Sequence, residues 1–378
     1  MGESMPDMSV YVERVARLRA LMDQRGYDAV VIRNNPDLRW LTGAQRVFDD
    51  EVAHTAFVTA DALWLHTDSR YYGMFLDRMG DATLWKIDMD IVEPAYWTAQ
   101  RVVEARSRVV AVEDSLTLAF YEDFCHELAQ ASVAPMLPRM HEDIAKLRIV
   151  KDSEEIELMR HAQSITDATF THICGYIKPG MTEMQIKNEM ENYMFSHGAD
   201  ALSFETIVAA GPNGANPHAR PSDYVVKPGD MIVMDYGAGY HDYHSDMTRT
   251  VCVGQPTEEQ RRVYDIVRHT NEVCGQAAKP GCIGRDIHNL AVKTITDAGY
   301  GDYFKHGLGH GVGLQIHEMP YFGRRYTGEI PVGAVITDEP GIYLPGRFGV
   351  RIEDFGVMTE QGYERFTQST HELQIVGE

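Results

Sequence analysis

Two stretches of this chain place a carboxylate where the surrounding residues call for a dry strand. Asp235 follows Met231, Ile232, Val233 and Met234, and Glu353 follows Val350 and Ile352. Runs of that kind are buried in a sheet, and a lone buried carboxylate is strongly disfavoured unless a cation or a set of donors compensates it. The fold must therefore bring such a partner to both positions. Further polar clusters lie inside apolar sequence in the same half: NPHARP at 216–221, MDYGAGYHDYHSDMTRT at 234–250, HGLGHGVGLQIHE at 306–318, TDEPGIY at 337–343 and VRIEDF at 350–355. Taken singly, an acid beside a strand is more often a turn residue or an arginine partner than a ligand. Asp242, Asp354, His241 and His244 are read that way, because they fall at turns or alternate away from the ligand face. Taken together, the clusters indicate a divalent cation, since carboxylates with an imidazole form a hard N/O set suited to manganese, cobalt, iron or zinc.

A chain of 378 residues exceeds what one core usually organises, so two domains are expected. Residues 11–24 space Val15, Leu18, Leu21 and Met22 for a helix, with Gly26 as its stop. Strands are expected at 29–33, at 56–68 as a pair around an Ala-Asp turn, and at 108–113, with helices at 71–79 and 118–131 between them. That alternation describes an α/β domain. After Pro135 and Pro138, Asp152 and Glu155 have capping-box spacing ahead of the apolar stripe Ile156, Met159, Ala162, Ile165. A boundary at 140–150 follows. Beyond residue 205, apolar runs such as 231–238 and 334–344 alternate with Gly and Pro, which suggests a curved, largely antiparallel sheet with helices packed on one side.

Lys and Arg number 35 against 56 acids, a net charge of −21 that repels phosphate backbones, so nucleic acid is not an expected partner. The five cysteines are odd in number and form no CxxC pair, consistent with reduced thiols and a cytoplasmic location. Residues 1–10 lack the basic start and apolar run of a signal peptide, and no stretch approaches 18 apolar residues, so a membrane is not expected either.

The order of DYGAGYHDYHSD, an HxxxH with another His seven residues on, EPGIY and RIED resembles the M24 metallopeptidases of the pita-bread fold. The Xaa-Pro aminopeptidase and Xaa-Pro dipeptidase (prolidase) branch is the most similar, and the likeness extends to NPDLRWLTG at 35–43 and TDSRYY at 67–72. The resemblance implies a creatinase-like α/β domain over 1–145 and a catalytic α+β domain over 146–378. It implies two divalent ions, manganese first with cobalt, zinc or iron as alternatives. Asp235 binds one ion, Asp246 and Glu353 bridge the pair, and His310 and Glu339 complete the second. His218, His306 and His317 surround the substrate, with Arg351 and Tyr343 close by and Glu339 as proton acceptor. The implied reaction is hydrolysis of the N-terminal Xaa-Pro bond by a bridging water, in a homodimer or larger assembly.

A creatinase-like hydrolase or a metal-dependent lyase, a noncatalytic binding module and a methionine aminopeptidase are the alternatives, and each fits the filled ligand positions and the N-terminal domain less well than the peptidase. Arg324 and Arg325 are candidates to hold a dipeptide's carboxylate. Because HEMP is followed by Tyr321 and Phe322, where prolidase-like relatives often carry an arginine, the reading leans toward an aminopeptidase. Trp40 and Arg39, in an expected loop, are candidates to overhang the site.

Overall fold

A computed structural model describes residues 8–49, 51–80 and 83–377, so residues 1–7 of the leader reading lie outside it. The chain forms two compact units, Met1–Arg148 and Ile149–Glu378.

In the first unit, the helix Met8–Arg25 ends at Gly26, whose φ of 70° is readily adopted by glycine. The strand Ala29–Ile32 lies between the antiparallel Thr55–Thr59 and the parallel Val110–Val112. Leu63–His66 and then Lys86–Asp88 extend the same sheet. All residues of Ala29–Ile32 are buried, the mark of a strand covered on both faces. The helices Pro94–Ala105 and Leu118–Gln130 bring Trp97, Val102, Phe120 and Phe124 onto Val31, Phe57 and Val110. One expectation fails here. Residues 35–42 are the helix Asn35–Thr42 rather than a loop, with Trp40 and Arg39 buried inside the unit. Arg14 donates to the Trp40 carbonyl and its guanidinium lies 5.3 Å from the ring centroid, so neither residue is an overhanging tip.

In the second unit, Asp152 and Glu155 complete a reciprocal capping box at the start of the helix Ser153–Tyr176. That helix and Glu183–Ser196 place Ile173, Met190 and Met194 against the sheet strands Ile207–Ala210, Met231–Tyr236 and Met247–Val253. A second helix pair, Glu258–Ala277 and Gly284–Asp297, packs Val263, Val267, Ala291 and Ile295 with Ile336, Ile342 and Val350. Its sheet runs in the order Glu318–Phe322, Gly309–Gly311, Val335–Asp338, Asp354–Thr359, Gly362–Arg365, antiparallel throughout. The run 334–344 is broken at Glu339–Pro340 into Val335–Asp338 and Gly341–Leu344, which belong to different sheets. Proline donates no hydrogen bond, so the ladder stops there and leaves Glu339 at the strand end.

Candidate metal centre and active site

Four strand ends and one strand centre carry the acids and histidine of interest. Asp235 sits opposite Thr248 in the antiparallel pairing of Met231–Tyr236 with Met247–Val253, and Asp246 immediately precedes the latter strand. Glu353 falls in the break between Phe348–Arg351 and Asp354–Thr359, where its N–H donates to the Thr248 carbonyl at 3.0 Å. Glu339 follows Val335–Asp338 and its N–H donates to Leu308 O at 2.8 Å. His310 is the middle residue of Gly309–Gly311. A Cβ on Gly309 would lie 2.0 Å from Thr337 O, and one on Gly311 would lie 2.4 Å from Met319 O. Only glycine lets this strand pass between its neighbours, and that close passage sets His310 among the acids.

Ligand atoms of Asp246, His310 and Glu353 lie within 4.8 Å of one another. His310 Nε2 is 3.5 Å from both Asp246 Oδ2 and Glu339 Oε1. The Nδ1 of His310 faces the Gly311 carbonyl at 3.1 Å, which fixes the proton on Nδ1 and turns the Nε2 lone pair toward the carboxylates, the tautomer a metal ligand requires. Asp235 has its Oδ2 held by Arg351 Nη2 at 2.5 Å, while its Oδ1 is buried with no hydrogen-bond partner. Burial, followed by the charges of Glu353, Asp235 and Glu339, holds the Asp246 carboxyl well above the usual range. Burial and Glu353 do the same to Glu339, and burial with Asp235 pushes Glu353 up to about 8. Burial drives His310 down to about 4. Acids that resist ionisation around a neutral imidazole lack positive charge, and a divalent cation would supply it. The donor set fits such an ion.

Arg351 ties the surroundings together. Its Nη1 donates to Tyr343 OH at 2.8 Å and its Nε to Thr248 Oγ1 at 2.9 Å, and Thr248 donates in turn to Glu353 Oε2 at 2.6 Å. Tyr343 OH is 3.0 Å from His306 Nε2, and His306 Nδ1 is 2.7 Å from the Gly307 carbonyl. The carbonyl accepts only a proton on Nδ1, so Nε2 accepts from Tyr343 and His306 is held neutral. Burial followed by Arg351 lowers His306 to about 3, in keeping with that chain of donors. His317 places its ring 4.3 Å from that of His310, and both His317 and His218 are exposed on the pocket wall.

The pocket encloses about 520 Å3 and is lined by the four acids and His310 together with His218, His306, His317 and Arg351, along with segments 204–207 and 217–221. Tyr343 meets the site through its hydroxyl. Arg324 and Arg325 are exposed and stand outside the lining, which corrects the expectation that they reach a substrate carboxylate; Tyr321 is there instead. His241 and Asp242 occupy a turn with φ of 50° and 71°. Asp354 is no surface residue: burial opposes its charge, but Arg249 at 2.9 Å, with His371 and Arg365, holds its carboxyl well below the usual range. Thr248 escaped the sequence reading, although its place two residues after Asp246 puts it on the same strand face. Lys151, paired at 2.6 Å with Glu318 beside His317, left no local signal at all.

Such a pocket calls for an enzyme that works with divalent ions. Comparison with known proteins narrows that class: residues 157–360 match metallopeptidase family M24 and residues 14–150 match the creatinase/prolidase N-terminal domain, so the chain belongs to this peptidase family. It is similar to the Xaa-Pro dipeptidase of Pyrococcus horikoshii, with 32% identity over 97% of this chain and 100% of the relative. Among solved structures it resembles the Xaa-Pro dipeptidase from Bacillus anthracis, at TM-score 0.89 and 33% identity over 97% of this chain and 100% of that one. The X-Pro aminopeptidase from Thermotoga maritima follows at TM-score 0.85 and 31% identity, covering 96% and 100%. The creatinase-like domain followed by a pita-bread domain is thus the fold found, and family membership implies a divalent metal. No helix among the described residues is long and apolar enough to cross a membrane.

Proposed function

We propose that the chain hydrolyses the bond preceding proline in Xaa-Pro peptides and releases the N-terminal residue, with two divalent ions held by Asp235, Asp246, His310, Glu339 and Glu353. Support comes above all from the buried, partnerless Oδ1 of Asp235, an oxygen left for a cation beside three acids that resist ionisation. In this reading Asp246 and Glu353 would serve both ions, Asp235 would hold one, and His310 with Glu339 would hold the other. Manganese suits the N/O set first, with cobalt, zinc or iron as substitutes. When bound, the ions supply charge that acidifies water and polarises the scissile carbonyl.

The chain's own residues do the rest. Glu339 accepts the proton of the attacking water. Arg351 fixes Asp235 directly and Glu353 through Thr248, while Tyr343 orients His306. His218 and His317 stand exposed on the wall, suited to donate to the developing oxyanion and to the departing imino nitrogen, which has no proton of its own. The reading takes residues 1–145 as the N-terminal domain and 146–378 as the catalytic one, a homodimer as the assembly and the cytoplasm as the compartment. The test is hydrolysis of Ala-Pro after removal of metal by chelation: activity is expected to vanish and to return with manganese. Full turnover by protein shown to contain no metal would sink the reading.

A further inference from the structure

His218 reaches the pocket from the stretch after the strand Ile207–Ala210, which passes through the 3-10 turn Gly211–Ala215 and enters no further strand before Met231. Connections of that kind are the mobile parts of a fold unless something ties them down. The tie here is Glu183, the first residue of the helix Glu183–Ser196 and 0% exposed. Its Oε1 accepts from the Ala210 N–H at 2.7 Å and from Asn213 Nδ2 at 3.1 Å. Its Oε2 accepts from the Ser222 N–H at 2.9 Å and from Ser222 Oγ at 2.6 Å. The helix also grips the loop directly, since the N–H groups of Glu183 and Met184, left over at its start, donate to the carbonyls of Tyr224 and Ser222.

The chemistry of the place calls for a carboxylate. Each of those four contacts presents a donor, and a carboxylate accepts on both oxygens and donates on neither. An amide would turn its NH2 against one pair of donors. The donors are uncharged, so hydrogen bonds and the helix N-terminus together offset the buried charge, and the carboxylate is held as firmly as it holds. The grip continues to His218: Asn213 O receives the Asn216 N–H at 3.0 Å, and Asn216 Oδ1 receives the His218 N–H at 3.1 Å. Between the two clasped residues Arg351 Nη1 also donates to Pro217 O at 3.4 Å. The loop is thus fixed at Asn213 and at Ser222, on either side of the histidine.

We propose that Glu183 is a positioning residue for the reaction: by clasping Ala210, Asn213 and Ser222 it keeps the His218 ring in place on the pocket wall, and its loss slows the chemical step more than it weakens substrate binding. The assignment rests on the reading above, in which His218 acts on the reacting group. A contact made only in the transition state shows in kcat when its geometry is lost.

The experiment follows Glu183→Gln and Asn213→Ala in the metal-loaded enzyme. Glu183→Gln keeps the shape of the clasp and opens one side of it. Asn213→Ala cuts the link at the loop and leaves the carboxylate its contacts to Ala210 and Ser222, so it carries the test if the buried change does not fold. Both are expected to lower kcat on Ala-Pro by about 10- to 100-fold, the cost of a displaced catalytic group, and to change KM by no more than about threefold. In parallel, with diamagnetic zinc bound and 13C-labelled histidine, the ring resonance of His218, identified by its absence from His218→Ala, is expected to shift or split in both variants while those of His126 and His269 stay put. An unmoved His218 resonance overturns the proposal, as does a moved one with kcat unchanged or with the whole loss carried by KM. No cleavage of Ala-Pro by wild type overturns the Xaa-Pro reading instead, and the His218 resonance then still decides whether Glu183 sets that ring.

Discussion

Replacing Lys151 with Met tests how the histidine-bearing hairpin is anchored. Lys151 Nζ lies 2.6 Å from Glu318 Oε1, with side chains 1% and 4% exposed, and Glu318 follows His317 directly. At an effective dielectric constant of about 20, two unit charges at that separation attract by roughly 6 kcal/mol. Moving both from water into the interior costs several kcal/mol for each ion, so the intact pair contributes close to nothing net. Removing one partner is different, because the other charge keeps its burial and loses its counterion. Lys151→Met is expected to destabilise by about 3–5 kcal/mol, and Glu318→Gln by a similar amount. The double change Lys151→Met with Glu318→Gln leaves no buried charge at the pair and is expected to come within about 2 kcal/mol of wild type. The chain's four tryptophans, Trp40, Trp64, Trp85 and Trp97, all belong to the first unit. Urea unfolding of the metal-loaded protein is therefore best followed by far-UV circular dichroism, which also sees the second unit. Losses that simply add in the double variant would refute the reasoning.

Three further outcomes are expected. Asp246→Ala and Glu353→Ala should keep the wild-type circular dichroism spectrum while losing bound metal and Xaa-Pro hydrolysis; a variant that retains two ions per chain by elemental analysis would remove that residue from the ligand set. Thr248→Val, which severs the contact from Arg351 Nε to Glu353 Oε2 at a fully buried position, is expected to weaken metal binding by about 10- to 100-fold, and an unchanged metal titration would discount the relay. His54, buried among Phe48, Tyr71 and Phe75, is lowered by burial to about 4 from 6.5, so its neutral form stabilises the first unit above pH 6.5 and that contribution is lost as pH falls through 4. The loss amounts to about 3 kcal/mol at most, and His54→Phe should flatten the acid side of the tryptophan-monitored stability profile; identical profiles for variant and wild type would assign the acid sensitivity elsewhere.

Much of the second unit could be read from the chain because its signals are local. The Asp152 capping box lies within four residues, and Asp235 and Glu353 betray themselves by standing in apolar runs. What escaped depends on pairings that no local period encodes. Lys151 meets Glu318 across 167 residues, and Arg249 meets Asp354 across 105. Asp354, read as facing away from the ligands, does face away, yet into a buried ion cluster rather than into water, because sequence alternation gives the side of a strand and not what covers it. The helix Asn35–Thr42 stands where a loop is expected around Arg39 and Trp40; proline is at home in the first turn of a helix, and Pro36 takes that role here. Arg324 and Arg325 stand near His317 in sequence, yet neither lines the pocket, because nearness along the chain does not set which way a loop faces.

The spread of the ligands along the chain also has a consequence for synthesis. Asp235 and Asp246 are made first, but His310, Glu339 and Glu353 come 75 to 118 residues after Asp235, and the strand that follows Asp246 gains its Ile375–Val376 partner later still. A growing chain can display two carboxylates, yet it cannot close a cage around an ion until Glu353 has left the ribosome. Closure of such a cage therefore waits until Glu353 has emerged, and a polypeptide truncated before that residue would carry acids that a passing cation can visit without being held.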